Sequence, residues 1–225
     1  MEKKPLVILT GPTAVGKTAL SIALAHRLNG EIISADSMQV YRHMDIGSAK
    51  IRPEEMDGVL HHLVDVLEPE ETFNVVTFQQ MAKAAMEEIY ERGHVPVLVG
   101  GTGFYIQAIV NDIDFTEQED DNSFRKACEA RAAAGEGDAL YQELLRFDPK
   151  TAEEIHPHNI KRVIRALEFY HQTGQQISAH NEEQKKRTSP YNFAYFVLND
   201  DRARLYERMD KRVDQMLLNG LEAEV

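Results

Sequence analysis

Gly11-Pro12-Thr13-Ala14-Val15-Gly16-Lys17-Thr18 follows the apolar run Leu6-Val7-Ile8-Leu9 and precedes the helical pattern Ala19-Leu20-Ile22-Ala23-Leu24. The order G-x-x-x-x-G-K-[ST], set between a strand and a helix, is that of a phosphate-binding loop. Backbone N–H groups of such a loop converge on a di- or triphosphate at a helix N-terminus. Lys17 is placed to reach the outer phosphates, and the Thr18 hydroxyl to ligate Mg²⁺. The bland alternative is a glycine turn beside a surface lysine; strand before and helix after argue against it. The loop specifies phosphate binding and leaves the reaction open.

Outward from this loop, strand-like runs alternate with helical ones. Strands are expected at Leu6–Thr10, Glu31–Ser34, His62–Val66, Val95–Val99 and Phe193–Leu198. A helix is expected from the N-cap Asn74, carrying Phe78, Met81, Ala82, Ala85, Met86 and Ile89 at helical spacing and ending before Gly93. This alternation predicts an α/β fold: a P-loop NTPase-like parallel sheet with helices on both faces and ligands beyond the carboxyl ends of the strands. The alternation stops between about residue 113 and residue 190, where helical patterns at Asp138–Arg146 and His158–His171 dominate, with Gly174 just past the second. The chain is therefore read as residues 1–113, the first part of the core; 114–190, a helical insertion lobe; and 191–225, the second part of the core. Glu222-Ala223-Glu224-Val225 lies in a helical pattern without a stop signal, so a truncated protein is expected.

In 225 residues, 43% hydrophobic, there is enough apolar material for a packed core. Cys128 is the single cysteine. That excludes a disulfide framework or cysteine-rich zinc site and points to the cytoplasm. No run of about 18 apolar residues predicts a membrane span, and Met1-Glu2-Lys3-Lys4-Pro5 does not begin a signal peptide. The net charge of −12 argues against a polyanionic partner when taken alone. Acidic residues gather at Glu68-Pro69-Glu70-Glu71 and Glu117–Asp121, basic ones at Lys161-Arg162 with Arg165, Lys185–Arg187, and Arg202, Arg204, Arg208, Lys211 and Arg212. Local patches, not the sum, set binding to polyanions, although any one such run can be a solvated surface.

Several further residues could carry chemistry. Asp36 ends the second strand, beside the phosphate loop, followed by Ser37, Met38 and Gln39. An acid there can serve as a base or hold metal through water; equally, it can cap backbone N–H groups in an Asx turn. Gly100-Gly101-Thr102-Gly103 turns from a strand into a helix, with Thr102 either an N-cap or a ligand contact. Lys161 and Arg165, with Arg162, put cations on one helix face, suited to phosphate. His156 and His158 have no evident third ligand and read as cap or polar surface residues; His61 and His62 read similarly, since neighbours in a strand point to opposite faces and cannot both bind one ion. Met209, Val213, Met216 and Leu217 are expected in the core, and Cys128 as packing.

Together, Gly11–Thr18, Ser34-Ala35-Asp36-Ser37-Met38-Gln39-Val40-Tyr41, Met44-Asp45-Ile46-Gly47-Ser48-Ala49-Lys50, Val99–Gly103, Ile155–Asn159 with Arg162 and Arg165–Glu168, and Gly220–Val225 closely resemble the bacterial tRNA dimethylallyltransferases, or tRNA isopentenyltransferases. The resemblance implies transfer of a dimethylallyl group from dimethylallyl diphosphate to the exocyclic amine of the adenosine 3′ of the tRNA anticodon, with Mg²⁺ as cofactor. It implies a diphosphate site at Gly11, Pro12, Thr13, Ala14, Val15, Gly16, Lys17 and Thr18, with Thr18 on the metal. Asp36, Lys17 and Thr102 would be catalytic, Asp36 accepting a proton from the target amine or holding it. The tRNA, through its anticodon stem-loop, would touch Asp36, Ser37, Met38, Gln39, Thr102, Arg125, Lys161, Arg162, Val163, Ile164 and Arg165. Members of that family run on for several tens of residues beyond the position of Val225.

Adenine's exocyclic amine is a weak nucleophile, because its lone pair is delocalised into the ring. The donor carbon must therefore become strongly electrophilic as diphosphate leaves, and an anion cradle stabilises that charge. The main alternative is a small-molecule kinase or other nucleotide-binding, ATP-binding P-loop enzyme; a non-enzymatic RNA-binding module is a third reading. Titration of dimethylallyl diphosphate against ATP separates the first two.

Overall fold

The computed structural model describes residues 3–115 and 123–225, except for the side chains of Lys185 and Lys186. The acidic run Glu117–Asp121 lies outside the described residues. The chain forms two compact units, Met1–Ile113 with Ser189–Val225, and Asp114–Thr188.

The first unit is built on β1 (Lys4–Thr10), β2 (Gly30–Ala35), β3 (His61–His62), β4 (Val95–Gly100) and β5 (Tyr191–Val197). These pair in the order β3-β2-β4-β1-β5, all parallel. Sequence neighbours are never sheet neighbours except β2 and β3, so long crossovers are required, and helices supply most of them. These are α1 (Lys17–Leu28), α2 (Val75–Glu91) and α3 (Gly103–Val110); α9 (Arg202–Leu218) and α10 (Leu221–Glu224) follow β5.

Alternation along the strands divides the core between two faces. Leu6 and Ile8, Ile33 and Ala35, and Leu98 pack on Phe78, Ala82, Met86 and Ile89 of α2 and on Ile106 and Ile109 of α3. Val7, Ile32, Val97 and Val99 point the other way, to Ile22 and Ala25 of α1. A strand buried on both faces reads as a continuous apolar run, which is why β1 and β4 stood out in the sequence. Asn74 caps α2 as expected, its Oδ1 accepting from Val76 N at 2.9 Å and Thr77 N at 3.1 Å.

Two expectations are corrected. The third strand was expected to run to Val66 but covers only His61–His62. Leu63 and Asp65 take positive φ, 62° and 55°, and the backbone leaves the sheet. Its donors turn to another segment: Asp65 N bonds Gln39 O, and Val66 N and Leu67 N bond Val40 O. The apolar residues of α9 were expected in the core. Among the residues of α9 only Leu205 is buried, while Val213 and Leu217 are 51% and 49% exposed. A helical period shows which face is apolar; it does not supply a layer to cover that face. The edge strand β5 likewise leaves Phe193, Tyr195 and Phe196 substantially exposed.

The second unit contains α4 (Ser123–Ala133), α5 (Gly137–Phe147), α6 (Pro149–Glu154), α7 (Ile160–Thr173) and α8 (Ile177–Lys186). Cys128, Leu140, Leu144, Ala152, Val163, Ile164 and Leu167 form its core. Burial pushes the Cys128 thiol up, as suits a packing residue. Asp148 staples the unit internally. It accepts from Thr151 N and Oγ1 and from Ser178 N and Oγ. Burial raises its carboxyl, but these four donors outweigh it and hold the group below its usual range. Gly174 ends α7 at φ 67°, a left-handed cap whose N–H bonds Tyr170 O.

Candidate active site

The site lies in the first unit, beyond the carboxyl ends of β1, β2 and β4. The Gly11–Thr18 loop leaves β1 at Gly11, where an added Cβ would stand 2.5 Å from Leu198 O. It enters α1 through Gly16 at φ 95°, a left-handed cap. Lys17 Nζ donates to the loop's own carbonyls, Gly11 O at 2.8 Å and Pro12 O at 2.9 Å. Arg208 of α9 reaches Ala14 O. Burial is the largest influence on Lys17 and lowers its pKa; the charge of Asp36 raises it and that of Arg212 lowers it further. All three charged groups therefore share one electrostatic site.

A cleft of about 1020 Å³ opens here, walled by Lys17, Thr18, Asp36, Gln39, Lys50 and Arg212 among others. Asp36 follows β2 directly. Its Oδ1 accepts from Met38 N at 2.8 Å and Gln39 N at 3.2 Å. The Asx turn weighed from the sequence is thus present, and it coexists with placement in the cleft. One carboxylate oxygen makes the turn; Oδ2 has no protein donor among the described residues. Thr102 occupies the N-cap position of α3, but without the side-chain capping bond expected of it. Its carbonyl receives Tyr105 N, and its N–H meets Ala35 O at 3.4 Å, next to Asp36. β2 and β4 approach so closely there that an added Cβ on Gly100 would fall 2.2 Å from Ala35 O.

Of the set expected here, the cleft wall gathers Lys17, Thr18, Asp36 and Gln39, while residues 11–16 of the loop, Ser37, Met38 and Thr102 are not part of it. Sequence reasoning missed Lys50 and Arg212. Arg212 had been seen only as one of a basic group. Lys50 is buried, its Nζ donating to Tyr41 O at 2.7 Å, Asp45 Oδ1 at 2.6 Å and Asp65 Oδ1 at 2.5 Å. Burial works against its charge, yet these partners hold its pKa above the usual value. Among the described residues no group of three or more His, Cys, Asp and Glu is arranged to hold a metal ion. The hard oxygens lining the cleft include the Thr18 hydroxyl and the Asp36 carboxylate, a donor class that suits Mg²⁺ carried on a diphosphate.

In the second unit, Arg125 grips Glu168 with two bonds, Nε–Oε1 at 3.0 Å and Nη2–Oε2 at 2.7 Å, and Arg165 adds a third at 3.1 Å. The Glu168 side chain is 2% exposed. Burial opposes its charge, but the two guanidinium groups hold its carboxyl down. Lys161 and Arg162 are exposed on the first turn of α7. Val163 and Ile164, expected within the tRNA-contacting run, are buried in the core of this unit and offer no side chain to a partner. A five-residue run on a helix necessarily turns some members inward.

No helix among the described residues is long and apolar enough to cross a membrane. Residues 39–225 match the family model for IPP transferase. The chain is 63% identical to a tRNA dimethylallyltransferase of Lachnoclostridium phytofermentans, over 99% of this chain and 71% of that protein. It is 49% identical to the tRNA dimethylallyltransferase of Bacillus subtilis, with the same coverage. Among solved structures, it is similar to the full-length tRNA isopentenylpyrophosphate transferase of Bacillus halodurans, with 48% identity, a TM-score of 0.67, and 99% of this chain and 69% of that one covered. It is also similar to a eukaryotic dimethylallyltransferase acting on tRNA, with 34% identity, a TM-score of 0.88, and 99% of this chain and 55% of that one covered. The chain belongs to the IPP transferase family.

Proposed function

We propose that this chain is a tRNA dimethylallyltransferase, moving a dimethylallyl group from dimethylallyl diphosphate to the exocyclic amine of the adenosine 3′ of the anticodon. The observation that carries the reading is a single cleft in which the phosphate-loop residues Lys17 and Thr18 face Asp36. An anion cradle and a proton acceptor in one chamber suit a reaction that expels diphosphate and deprotonates an amine.

The allylic C–O bond breaks with its electron pair passing to the diphosphate. Lys17, Arg212 and the backbone N–H groups of residues 13–18 stabilise the growing charge. The amine nitrogen forms the new C–N bond, and Asp36 takes its proton at the free Oδ2. Bound Mg²⁺, held through Thr18 and the diphosphate, would neutralise further leaving-group charge. The adenine must leave its stack to enter such a cleft, as RNA loop bases can. Lys161 and Arg162 supply cations for the RNA backbone. The cytoplasm, where a lone unpaired thiol is at home, suits this substrate.

The test incubates the protein with radiolabelled dimethylallyl diphosphate and an anticodon stem-loop RNA. Label should enter the RNA at the adenosine. Absence of label together with turnover of ATP onto a small acceptor would establish the kinase reading instead.

A further inference from the structure

A carboxylate far along the chain from the cleft holds one of its walls in shape. Glu224, on the short helix α10, accepts three successive backbone N–H groups: Asp45 and Ile46 on Oε2 at 2.8 and 2.7 Å, and Gly47 on Oε1 at 2.8 Å. Consecutive backbone amides make an anion-binding concavity. Here a side chain of the protein fills it. The approach is close: an added Cβ on Gly47 would stand 3.2 Å from Leu221 Cδ1 and 3.5 Å from Glu224 Oε1.

The segment so held is a compact turn. Ala49 N bonds Ile46 O and Lys50 N bonds Asp45 O, both at 2.9 Å. Its carbonyls at Ser48 and Ala49 each receive the Gln39 amide at 3.3 Å, and Gln39 N in turn donates to Asp36. Asp45 also helps to fix the buried ammonium of Lys50. Asp45, Ile46, Ala49 and Lys50 wall the cleft on one side and Arg212 and Met216 of α9 on another. Glu224 is the tie between the turn and the α9–α10 segment.

We propose that Glu224 is a positioning residue for the transfer reaction: its carboxylate locks the 45–50 turn, and through it Gln39 and Lys50, against the α9 side of the cleft. The proposal rests on the functional reading above. Glu224 touches no reacting atom; it acts through backbone amides. The phosphate loop is held mainly by its own bonds from Lys17, with Arg208 of α9 on Ala14 O, so the donor diphosphate depends on the tie less than the acceptor base, beside Asp36 and Gln39, does.

The experiment compares Glu224→Ala, Glu224→Gln and Gly47→Ala with the parent chain, measuring kcat, both KM values, thermal midpoint and amide hydrogen exchange at residues 45–47. Glu224→Ala should lower kcat about tenfold and raise KM for the stem-loop RNA about fivefold, with KM for dimethylallyl diphosphate within about twofold of parent. Exchange at the three amides should quicken about tenfold. Glu224→Gln retains one acceptor oxygen for two of the three donors and should recover most of kcat. Gly47→Ala presses on the tie from the other side, with its Cβ 3.2 Å from Leu221 Cδ1 and 3.5 Å from Glu224 Oε1, and should shift the same parameters in the same direction by a smaller amount even where Glu224→Ala fails to fold. Parental kcat and KM in folded Glu224→Ala, whatever its melting point, would overturn the proposal, as would equal rises in both KM values. An inactive parent would refute the functional reading instead, while the exchange measurement still tests the tie.

Discussion

Asp36 holds a turn and walls a cleft, and two substitutions separate those roles. Asp36→Asn keeps an Oδ1 that can accept from Met38 N and Gln39 N, now at 2.8 and 3.2 Å, but it can no longer take a proton. Asp36→Ala removes both capabilities. Each of the two backbone bonds to this side chain contributes about 0.5–1.5 kcal/mol, so Asp36→Ala should lose about 1–3 kcal/mol of stability and Asp36→Asn less than about 0.5. Loss of a general base costs about 10²- to 10⁴-fold in rate, or about 3–5 kcal/mol of barrier at about 1.4 kcal/mol per decade. Both variants should therefore lose at least about 10² in single-turnover rate, measured as label passing from dimethylallyl diphosphate to the stem-loop RNA. Only Asp36→Ala should shift the urea midpoint. Parental turnover in Asp36→Asn would refute the base role outright. A rate lost in Asp36→Ala and kept in Asp36→Asn would show that the carboxylate matters for the turn alone.

Three other outcomes are expected. Gly100→Ala drives a Cβ to 2.2 Å from the Ala35 carbonyl in the β2–β4 pair and should cost about 3 kcal/mol or more, read from a denaturant midpoint. Arg92, against burial and helped by His62 and His94, holds the Glu31 carboxyl down at about 2 from an ordinary 4.5. A depressed carboxyl stabilises the fold above its unfolded pKa, so about 3 kcal/mol should be present above pH ~4.5 and vanish as pH falls toward ~2; Glu31→Gln should remove that acid limb. Replacing exposed Lys161 and Arg162 by Gln should make RNA affinity less salt-dependent, reducing the log–log slope by about 1.4–1.8 in total; an unchanged slope would exclude phosphate contacts there.

The parts legible in the sequence were those governed by short-range rules. A G-x-x-x-x-G-K-[ST] loop between strand and helix needs eight consecutive residues, a doubly buried strand a continuous apolar run, and a helix start a well-placed Asn74; the strand, turn and helix positions were each read within a few residues of their place. Failures came where a distant segment decides the outcome. The third strand ends early because residues 63–67 find partners at residues 39–40, and no local pattern records that choice. The α9 stripe was read correctly as apolar and wrongly as buried, since period is a property of one helix and burial of two. Asp36 shows a subtler limit: the alternatives of turn and base were posed as exclusive, but a carboxylate has two oxygens, and one suffices for the turn. Glu224 is the extreme case. It lies 177 residues from Gly47, and a lone glutamate in a helical pattern carries no mark of partnership. Its role depends on three amides pointing the same way, a property of backbone direction rather than residue type. Motif spacing can therefore bring candidate groups to one cleft, while the groups that hold them in place become visible only with the fold.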